Sequence, residues 1–237
     1  MGNYNYDGFS SKEYNLDSFH GPKLGSKAPD FALSALDGTK VNLLDFTGEF
    51  LVLELGSITC PLFQGRREGM GELVSLYPNI SHSVLYIREA HPGPHLPAHQ
   101  NITDKVSCAQ HLSQDGEKRQ ILIDDISGTA HDSYGGYPNA VFIINQNGCV
   151  VFRSDWNSVP ATKKALKQLL NGQPAHTKSY FFPVKPSLAF KTLKRSGKGA
   201  LKDFLFSLPS LIWKNGIRRN ILLFLNAEQA IPPDAKC

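Results

Sequence analysis

A nearly continuous apolar run covers residues 50–55 and is bounded by Gly48 and Gly56. A nearly continuous apolar run of this length between glycines is typical of a buried central β-strand. After Cys60 and Pro61 the apolar positions approximate helical periodicity, and proline is tolerated in the first turn of a helix. The pattern therefore predicts a strand, a sharp turn that carries Cys60, and a helix, in that order.

Alternating strand and helix patterns continue to residue 170. We predict strands at residues 83–89, 120–124, 140–144 and 150–152, and helices near residues 103–113 and 161–170. Asp37-Gly38 and the stretch from Asn145 to Gly148 each lie between strand patterns, as hairpin turns do. The chain is therefore predicted to be an α/β protein with a mixed central sheet flanked by helices and an N-terminal β-hairpin extension.

The chain divides by composition into four parts. Residues 1–25, rich in Gly, Asn, Tyr and Ser, are interpreted as a flexible lead-in, residues 26–172 as the folded domain, and residues 173–187 as a linker. Residues 188–237, the C-terminal appendage, mix apolar residues with Lys and Arg. This mixture predicts a basic helical appendage of two short amphipathic helices, broken at Pro209 and Gly216.

Charge is unevenly distributed along the chain. Residues 176–237 carry 11 Lys and Arg against three Asp and Glu, whereas the whole chain has a net charge of only +4. The appendage could pack on the domain, pack on a second copy in a homodimer, or lie on a membrane surface. No nucleic-acid partner is expected.

Composition and cysteine spacing restrict the class of protein further. With 41% hydrophobic residues the chain can bury a core, which argues against disordered or fibrous classes. The four cysteines form neither a C-x-x-C motif nor a recognisable disulfide or zinc framework, and a signal-peptide pattern is missing. We therefore expect a reducing, cytoplasmic location, with peripheral membrane attachment as the alternative.

Cys60 is the most promising reactive group. A cysteine at a helix N-terminus faces unpaired backbone N–H groups and the positive end of the helix dipole, which favour the thiolate, so a lowered pKa is expected. The hydroxyls of Ser57 and Thr59 could donate hydrogen bonds to that sulfur or to a substrate.

Two motifs carry a resemblance to a known family. The stretch Gly56-Ser-Ile-Thr-Cys-Pro61, followed by Tyr86-Ile-Arg-Glu-Ala-His91, resembles the iodothyronine deiodinase family. Over roughly residues 28–172 the resemblance implies a thioredoxin-like fold with peroxiredoxin-like features. It also implies a thiol-dependent oxidoreductase, with thyroxine 5′-deiodinase-type activity as one form, in which Cys60 takes the place of the selenocysteine.

The resemblance also implies roles for other residues. Glu89 and His91 would form a proton-relay pair supported by Tyr86, and His99 would match the second histidine of the family. Pro138 resembles the cis-proline that abuts the reactive sulfur in thioredoxin folds. The resemblance implies no bound cofactor. The expected partners are a small electrophile, either an iodinated aromatic or a peroxide, and an external thiol reductant such as thioredoxin or glutathione.

Alternatives remain open at this point. Ser57 stands three residues before Cys60, where peroxiredoxins have threonine, so a thiol peroxidase is one alternative, with Arg66 or Arg67 to polarise peroxide. A non-catalytic redox sensor or interaction module, recruited through the appendage, is another. No metal site is expected, since the prolines around His91, His95 and His99 prevent the helix that would align them.

Cys108 and Cys149 have candidate roles as well. Cys108, on the helix after the histidine-rich loop, is the candidate resolving thiol, with Cys149 and an external thiol as further candidates. Cys149, at the start of a strand, is otherwise expected to be an inert buried thiol.

Overall fold

A computed structural model describes residues 4–226 and 229–237. Its centre is one sheet of seven strands in the order β2-β1-β5-β4-β3-β6-β7. β3 is parallel to β4, and β4 to β5, while the other pairs are antiparallel. The strands are β1 Ala32–Ala35, β2 Lys40–Asn42, β3 Phe50–Gly56, β4 Ser81–Tyr86, β5 Gln120–Ile123, β6 Val141–Asn145 and β7 Val150–Ser154.

Helices cover both faces of the sheet. α1, α2 and α4 pack on one face, whereas α3 and the N-terminal residues pack on the other. The remaining helices belong to the C-terminal appendage. The helices are α1 Pro61–Leu76, α2 Ile102–Gln114, α3 Thr129–Ser133, α4 Val159–Leu170, α5 Pro186–Ser196, α6 Lys198–Leu211 and α7 Asn220–Leu225, with a π-helical segment Ile212–Arg219 between the last two.

The predicted fold class is confirmed. The mixed sheet flanked by helices is thioredoxin-like, and both hairpins form, β1 with β2 and β6 with β7. Most predicted elements end within two residues of the observed ones. β4 is the exception: it ends at Tyr86 rather than at residue 89, which places Glu89 and His91 in the loop that follows. The five-residue α3 is too short to show periodicity and was not predicted.

The N-terminal segment differs from the expected flexible lead-in. In its described part, Phe9, Tyr14 and Leu16 are buried in the core. The hydroxyl of Tyr6 donates a hydrogen bond of 2.7 Å to the carbonyl of Ala90. Aromatic residues that looked like loop composition therefore act as packing residues, and they cover the loop after β4.

The breaks predicted in the appendage at Pro209 and Gly216 are wrong. Pro209 lies inside α6 and Gly216 inside the π-helical segment, and the main break comes earlier, at Gly197, whose φ is 112°. A proline removes one helical hydrogen bond, but tertiary packing can hold the chain helical around it. Leu211, two residues after Pro209, packs against the hydrophobic core of the domain.

The expectation that Cys149 is a free buried thiol is also wrong. Cys149 and Cys237 form a disulfide with a Cα–Cα distance of 5.8 Å, so Cys149 is neither an inert free thiol nor available to resolve Cys60. Their separation of 88 residues hides the pairing in the sequence. Asn145 supports the same junction by donating hydrogen bonds to the carbonyls of Pro233 and Ala235.

Among the described helices, none combines the length and the apolar character needed to cross a bilayer.

Candidate active site

Cys60 lies where the carboxyl ends of β3 and β4 meet. These strands are parallel neighbours, so the loops that follow them leave the same edge of the sheet. Cys60 is the N-cap of α1, and its Sγ accepts a hydrogen bond of 3.5 Å from the backbone N–H of Phe63. Pro61 occupies the first helical position. The predicted order of strand, turn, cysteine and helix is therefore correct.

The expected lowering of the Cys60 pKa is contradicted. Cys60 is 2% exposed, and burial raises the pKa of its thiol to about 12, against the opposing effect of the N–H groups of Phe63 and Leu62. The helix terminus does favour the thiolate, but removal of the sulfur from water is the larger effect. In this conformation Cys60 is a neutral thiol at physiological pH.

Glu89 is the centre of a buried hydrogen-bond network below Cys60. Its carboxylate accepts from the Thr59 hydroxyl at 2.6 Å, the Thr59 N–H at 3.1 Å, the Tyr86 hydroxyl at 2.5 Å and Nε2 of His99 at 3.1 Å. Burial opposes ionisation of Glu89, yet the hydrogen bonds from His99, Thr59 and Tyr86 outweigh it and lower its pKa. Glu89 is therefore a buried anion, held by residues that the sequence had singled out.

The expected pair of Glu89 and His91 does not form. Glu89 pairs with His99 instead, while the backbone N–H of His91 donates to the Thr59 hydroxyl at 3.1 Å. The family resemblance implied this pair, but the loop after β4 turns the two residues to different partners.

The His91 ring packs between aromatic residues from both ends of the chain. Its centroid lies 4.1 Å from that of Phe9 and 5.6 Å from that of Phe204. Burial lowers the pKa of His91 to about 3, so its imidazole is neutral. Nδ1 is buried and has no hydrogen-bond partner within the described residues.

Two further predicted residues join the loops of the site. Ser57 accepts a hydrogen bond of 3.1 Å from the N–H of Ala90. The N–H of Ile58 donates to the Tyr86 hydroxyl at 3.3 Å. The first contact connects the loop after β3 with the loop after β4, and the second connects it with the end of β4 itself. Ser57 and Tyr86 therefore fix the backbone around Cys60 rather than bonding to its sulfur.

Pro138 reaches the same edge because β6, which follows it, runs antiparallel to β3. It lines the cavity that Cys60 also lines. The expected cis geometry is wrong, since the peptide bonds of the described residues are all trans. The position of Pro138 thus agrees with the prediction, but its peptide geometry does not.

Cys60, His91 and Pro138 open onto one apolar cavity of about 770 Å³. The linker and the C-terminal appendage form its roof, and the N-terminal segment forms part of its wall. Apart from those three, the lining residues include Phe9, Tyr14, Leu16, Trp156, Phe181, Val184, Phe190, Leu193, Leu201, Phe204, Leu208, Leu211, Asn215 and Ile217.

Cys108 adjoins the buried network. One ligand-type atom from each of Glu89, His99 and Cys108 lies within 4.8 Å of the others. Such donors suit a zinc ion in type, although the Glu89 carboxylate is already saturated with hydrogen bonds. Burial raises the pKa of Cys108 to about 12. The expected resolving thiol is thus free and near the Cys60 loop, but protonated.

The sequence interpretation missed one buried polar network. Glu54, in the apolar run of β3, is fully buried and pairs with Arg119. It also accepts from the amides of Asn139 at 2.7 Å and Asn157 at 2.6 Å. Burial raises the pKa of Glu54 despite the opposing charge of Arg119. A single carboxylate inside an apolar strand pattern was the signal available in the sequence.

The two arginines considered for peroxide binding are engaged elsewhere. Arg66 donates to the carbonyls of Asn157 at 3.2 Å and Phe182 at 2.6 Å. Arg67 donates to Glu117 at 3.2 Å. Neither is among the residues that line the cavity at Cys60.

Comparison with known proteins agrees with this geometry. The family model for iodothyronine deiodinase matches residues 4–170, which is well over half of the chain. The chain belongs to the iodothyronine deiodinase family. It is 30% identical over 151 residues to the thyroxine 5-deiodinase of Ovis aries and 29% identical to that of Homo sapiens. The alignments cover 58% of this chain and 51% and 49% of those proteins, so the chain spans about half the length of the curated relatives it matches.

Solved structures agree on the fold alone. An uncharacterized conserved protein from Geobacillus kaustophilus aligns with a TM-score of 0.54 at 20% identity, covering 66% of this chain and 86% of that one. A hypothetical protein from Sinorhizobium meliloti aligns with a TM-score of 0.53 at 17% identity, covering 66% and 89%.

The deiodinase match divides the cavity into two parts. Cys60, His91, Pro138 and Trp156 lie within residues 4–170. The roof, from Phe181 to Ile217, lies beyond them. Cys60 and His91 therefore belong to the family domain, whereas the space above them is shaped by residues outside the match.

Proposed function

We propose that the protein is a thiol-dependent oxidoreductase that reductively removes iodine from an aromatic substrate, with Cys60 as the nucleophile. One observation carries the proposal: Cys60 and His91 line the same apolar cavity. Membership of the deiodinase family supports the choice of reaction.

The proposed reaction transfers iodine to sulfur. The Cys60 sulfur attacks the iodine of the aryl iodide, the C–I bond breaks, and an S–I bond forms. The electron pair of the broken bond stays on the aryl carbon, which takes a proton. A second thiol then attacks the Cys60 sulfur and releases iodide, and another thiol reduces the resulting disulfide. In total, an aryl iodide and two thiols give an arene, a disulfide, iodide and a proton.

His91 is the proposed carrier of the proton. Burial raises the pKa of Cys60 and lowers that of His91, so a long-lived thiolate–imidazolium pair is unfavourable in this conformation. We therefore assign a concerted transfer, in which the thiol proton passes through His91 to the aryl carbon as the sulfur attacks. The buried Glu89, bonded to the Thr59 hydroxyl that also holds the His91 backbone, fixes the geometry of this transfer.

Cys108 is the proposed internal resolving thiol, with an external thiol such as thioredoxin or glutathione as the final reductant. Its location beside Glu89 and His99 supports this role. Mass spectrometry after turnover and rapid thiol blocking should detect a Cys60–Cys108 linkage. If only mixed disulfides with the external thiol are found at Cys60, Cys108 has no part in the cycle.

Release of iodide tests the reaction directly. Thyroxine and an iodinated diphenyl ether should each be incubated with the protein and dithiothreitol, with hydrogen peroxide as a parallel substrate. We expect iodide release that is lost in Cys60→Ser and kept in Cys149→Ser, a matched cysteine variant away from the cavity. Reduction of peroxide without iodide release from either aryl iodide would replace this proposal with the thiol peroxidase.

A further inference from the structure

We propose that one face of the C-terminal appendage docks on a membrane surface that contains anionic phospholipids. The face belongs to the continuous helical run of α6, the π-helical segment and α7, from Lys198 to Leu225. These residues lie beyond the deiodinase match. The proposal concerns where the protein binds and is independent of the reaction proposed above.

The outward side of this helical run is apolar. Large apolar side chains are exposed along it, and six of them, here called the apolar stripe, lie outside the cavity lining: Phe206, Trp213, Ile221, Leu222, Phe224 and Leu225. Phe206 is 77% exposed and Phe224 is 71% exposed. The opposite side of the run packs on the domain through Leu211 and through Asn215, which is bonded to Trp156. Contiguous exposed apolar surface of this kind marks an interaction site.

The spacing keeps the apolar stripe on one side of the helix. Phe206 and Trp213 are seven residues apart, which is about two turns of an α-helix. Trp213 and Ile221 are eight residues apart across the π-helical segment, whose turns hold more residues. A stripe on one side suits a helix that lies along a membrane surface with its apolar face in the acyl boundary.

Basic side chains accompany the apolar stripe. Residues 186–225 carry eight Lys and Arg and a single acidic residue, Asp203. Four of these cations are exposed and form no ion pair within the described residues: Lys191, Lys194, Lys198 and Lys202. Nζ of Lys202 lies 5.9 Å from the centroid of the Phe206 ring, so positive charge adjoins the apolar surface. This combination fits a surface that presents phosphate groups above hydrocarbon.

Charge favours a membrane over a second copy of the chain. Two copies that met through this face in a symmetric dimer would bring the same basic residues together, and like charges repel. Anionic phospholipids would instead attract these residues while the apolar stripe leaves water. Trp213 lies within the stripe, and an indole, with its apolar body and polar N–H, suits the boundary between headgroups and acyl chains.

Flotation of the full-length protein with vesicles tests the lipid preference. One vesicle is phosphatidylcholine alone, and the other contains about one-third phosphatidylglycerol. We expect at least about tenfold tighter binding to the anionic vesicle, and weaker binding at raised salt, because ions screen the lysines. Equal binding to both vesicles, or binding to neither, would overturn the proposal.

Two double variants test the location of the docking surface. Ile221→Ser with Leu225→Ser removes two side chains of the apolar stripe, whereas Leu76→Ser with Ile126→Ser makes the same changes at exposed positions on the domain. The first pair should lower the affinity for anionic vesicles at least about tenfold, and the second should leave it unchanged. Urea unfolding should resemble that of wild type for both, because the side chains are exposed. Equal effects of the two pairs on affinity would overturn the assignment of this face.

Fluorescence provides a measurement that does not depend on those variants. On anionic vesicles the emission of Trp213 should shift to shorter wavelength and be quenched by brominated phosphatidylcholine. Trp213→Phe keeps the buried Trp156 and should lose most of this quenching while it still floats with the vesicles. Quenching that persists in full in Trp213→Phe would overturn the proposed orientation.

Light scattering of the vesicle-free protein tests the other occupant. We expect wild type and Ile221→Ser with Leu225→Ser to have the same mass. A wild-type dimer that dissociates in this double variant would assign the face to a second copy of the chain and overturn the membrane proposal.

Discussion

Nε2 of His99 lies 3.1 Å from Oε1 of Glu89 beneath the loop that carries Cys60. Because the carboxylate only accepts, Nε2 carries the hydrogen, and the pair is shielded from water. The same carboxylate accepts from Thr59, the residue before Cys60. The buried anion therefore fixes the position of the hydroxyl that precedes Cys60 in the chain.

Thr59→Val tests how much the Thr59 hydroxyl contributes to stability and to iodide release. The substitution keeps the side-chain volume but removes the 2.6 Å donor to Glu89 and the acceptor for the His91 N–H. A buried charge that loses a hydrogen bond costs about 1–3 kcal/mol, so the free energy of unfolding in urea should fall by that amount. Iodide release should fall as well, and Thr59→Ser should restore both. A stable but inactive Thr59→Ser would contradict this explanation.

The reactivity of Cys60 should increase with pH well above the usual thiol range. With a pKa of about 12, its thiolate fraction is small at neutral pH and grows about tenfold per pH unit. Alkylation by iodoacetamide in a Cys108→Ser background should therefore accelerate steadily between pH 7 and 10. A plateau near pH 7 would mean that the thiol is activated in the free protein and that burial does not dominate.

His91 should make the protein less stable in mild acid. Its folded-state pKa of about 3 is depressed relative to the unfolded chain, so its contribution is complete above pH about 6.5 and is lost as the pH falls towards 3. Between pH 7 and 5.5, wild type should lose about 1.2 kcal/mol more unfolding free energy than His91→Gln. His95→Gln, at an exposed position, should follow wild type. Parallel pH profiles for all three proteins would refute the burial of a neutral His91.

The packing of the appendage can be measured with two leucines. Leu193 is 0% exposed, whereas Leu225 is 69% exposed. Leu193→Ala should lower the free energy of unfolding by about 2–5 kcal/mol, because it leaves a cavity against the domain. Leu225→Ala should change it by less than about 0.5 kcal/mol. Similar small effects from both substitutions would show that the appendage does not pack on the domain.

The disulfide should stabilise the folded chain. Cys149 and Cys237 close a long loop, and removal of a link of this kind costs about 2–4 kcal/mol. Cys237→Ser should unfold at a correspondingly lower urea concentration, and non-reducing peptide mapping of wild type should find the linked pair. Recovery of both cysteines as free thiols from protein purified without reductant would contradict the pairing.

Local patterns were sufficient for most of the fold. Residues that are close together in the sequence were enough to predict the apolar strand β3, the glycine-containing turns and the helices α1 and α4. Cys60 was found for the same reason, since a cysteine between a buried strand and a helix with Pro61 is a local signal. These features depend little on the rest of the chain.

Contacts between residues far apart in the chain could not be predicted from the sequence. The choice of His99 over His91 as the partner of Glu89 depends on how one loop folds back on the sheet. The Cys149–Cys237 pairing joins residues 88 positions apart, and the raised pKa of Cys60 depends on burial that distant segments provide. Local motifs identify candidate reactive residues, but the burial that sets their pKa values depends on contacts from the whole chain.

The position of His91 between Phe9 and Phe204 joins the N-terminal segment to the appendage across one imidazole ring. The ring has both aromatic neighbours only when the segment that carries Phe204 packs on the domain. Separation of that segment from the domain would therefore expose the imidazole to water.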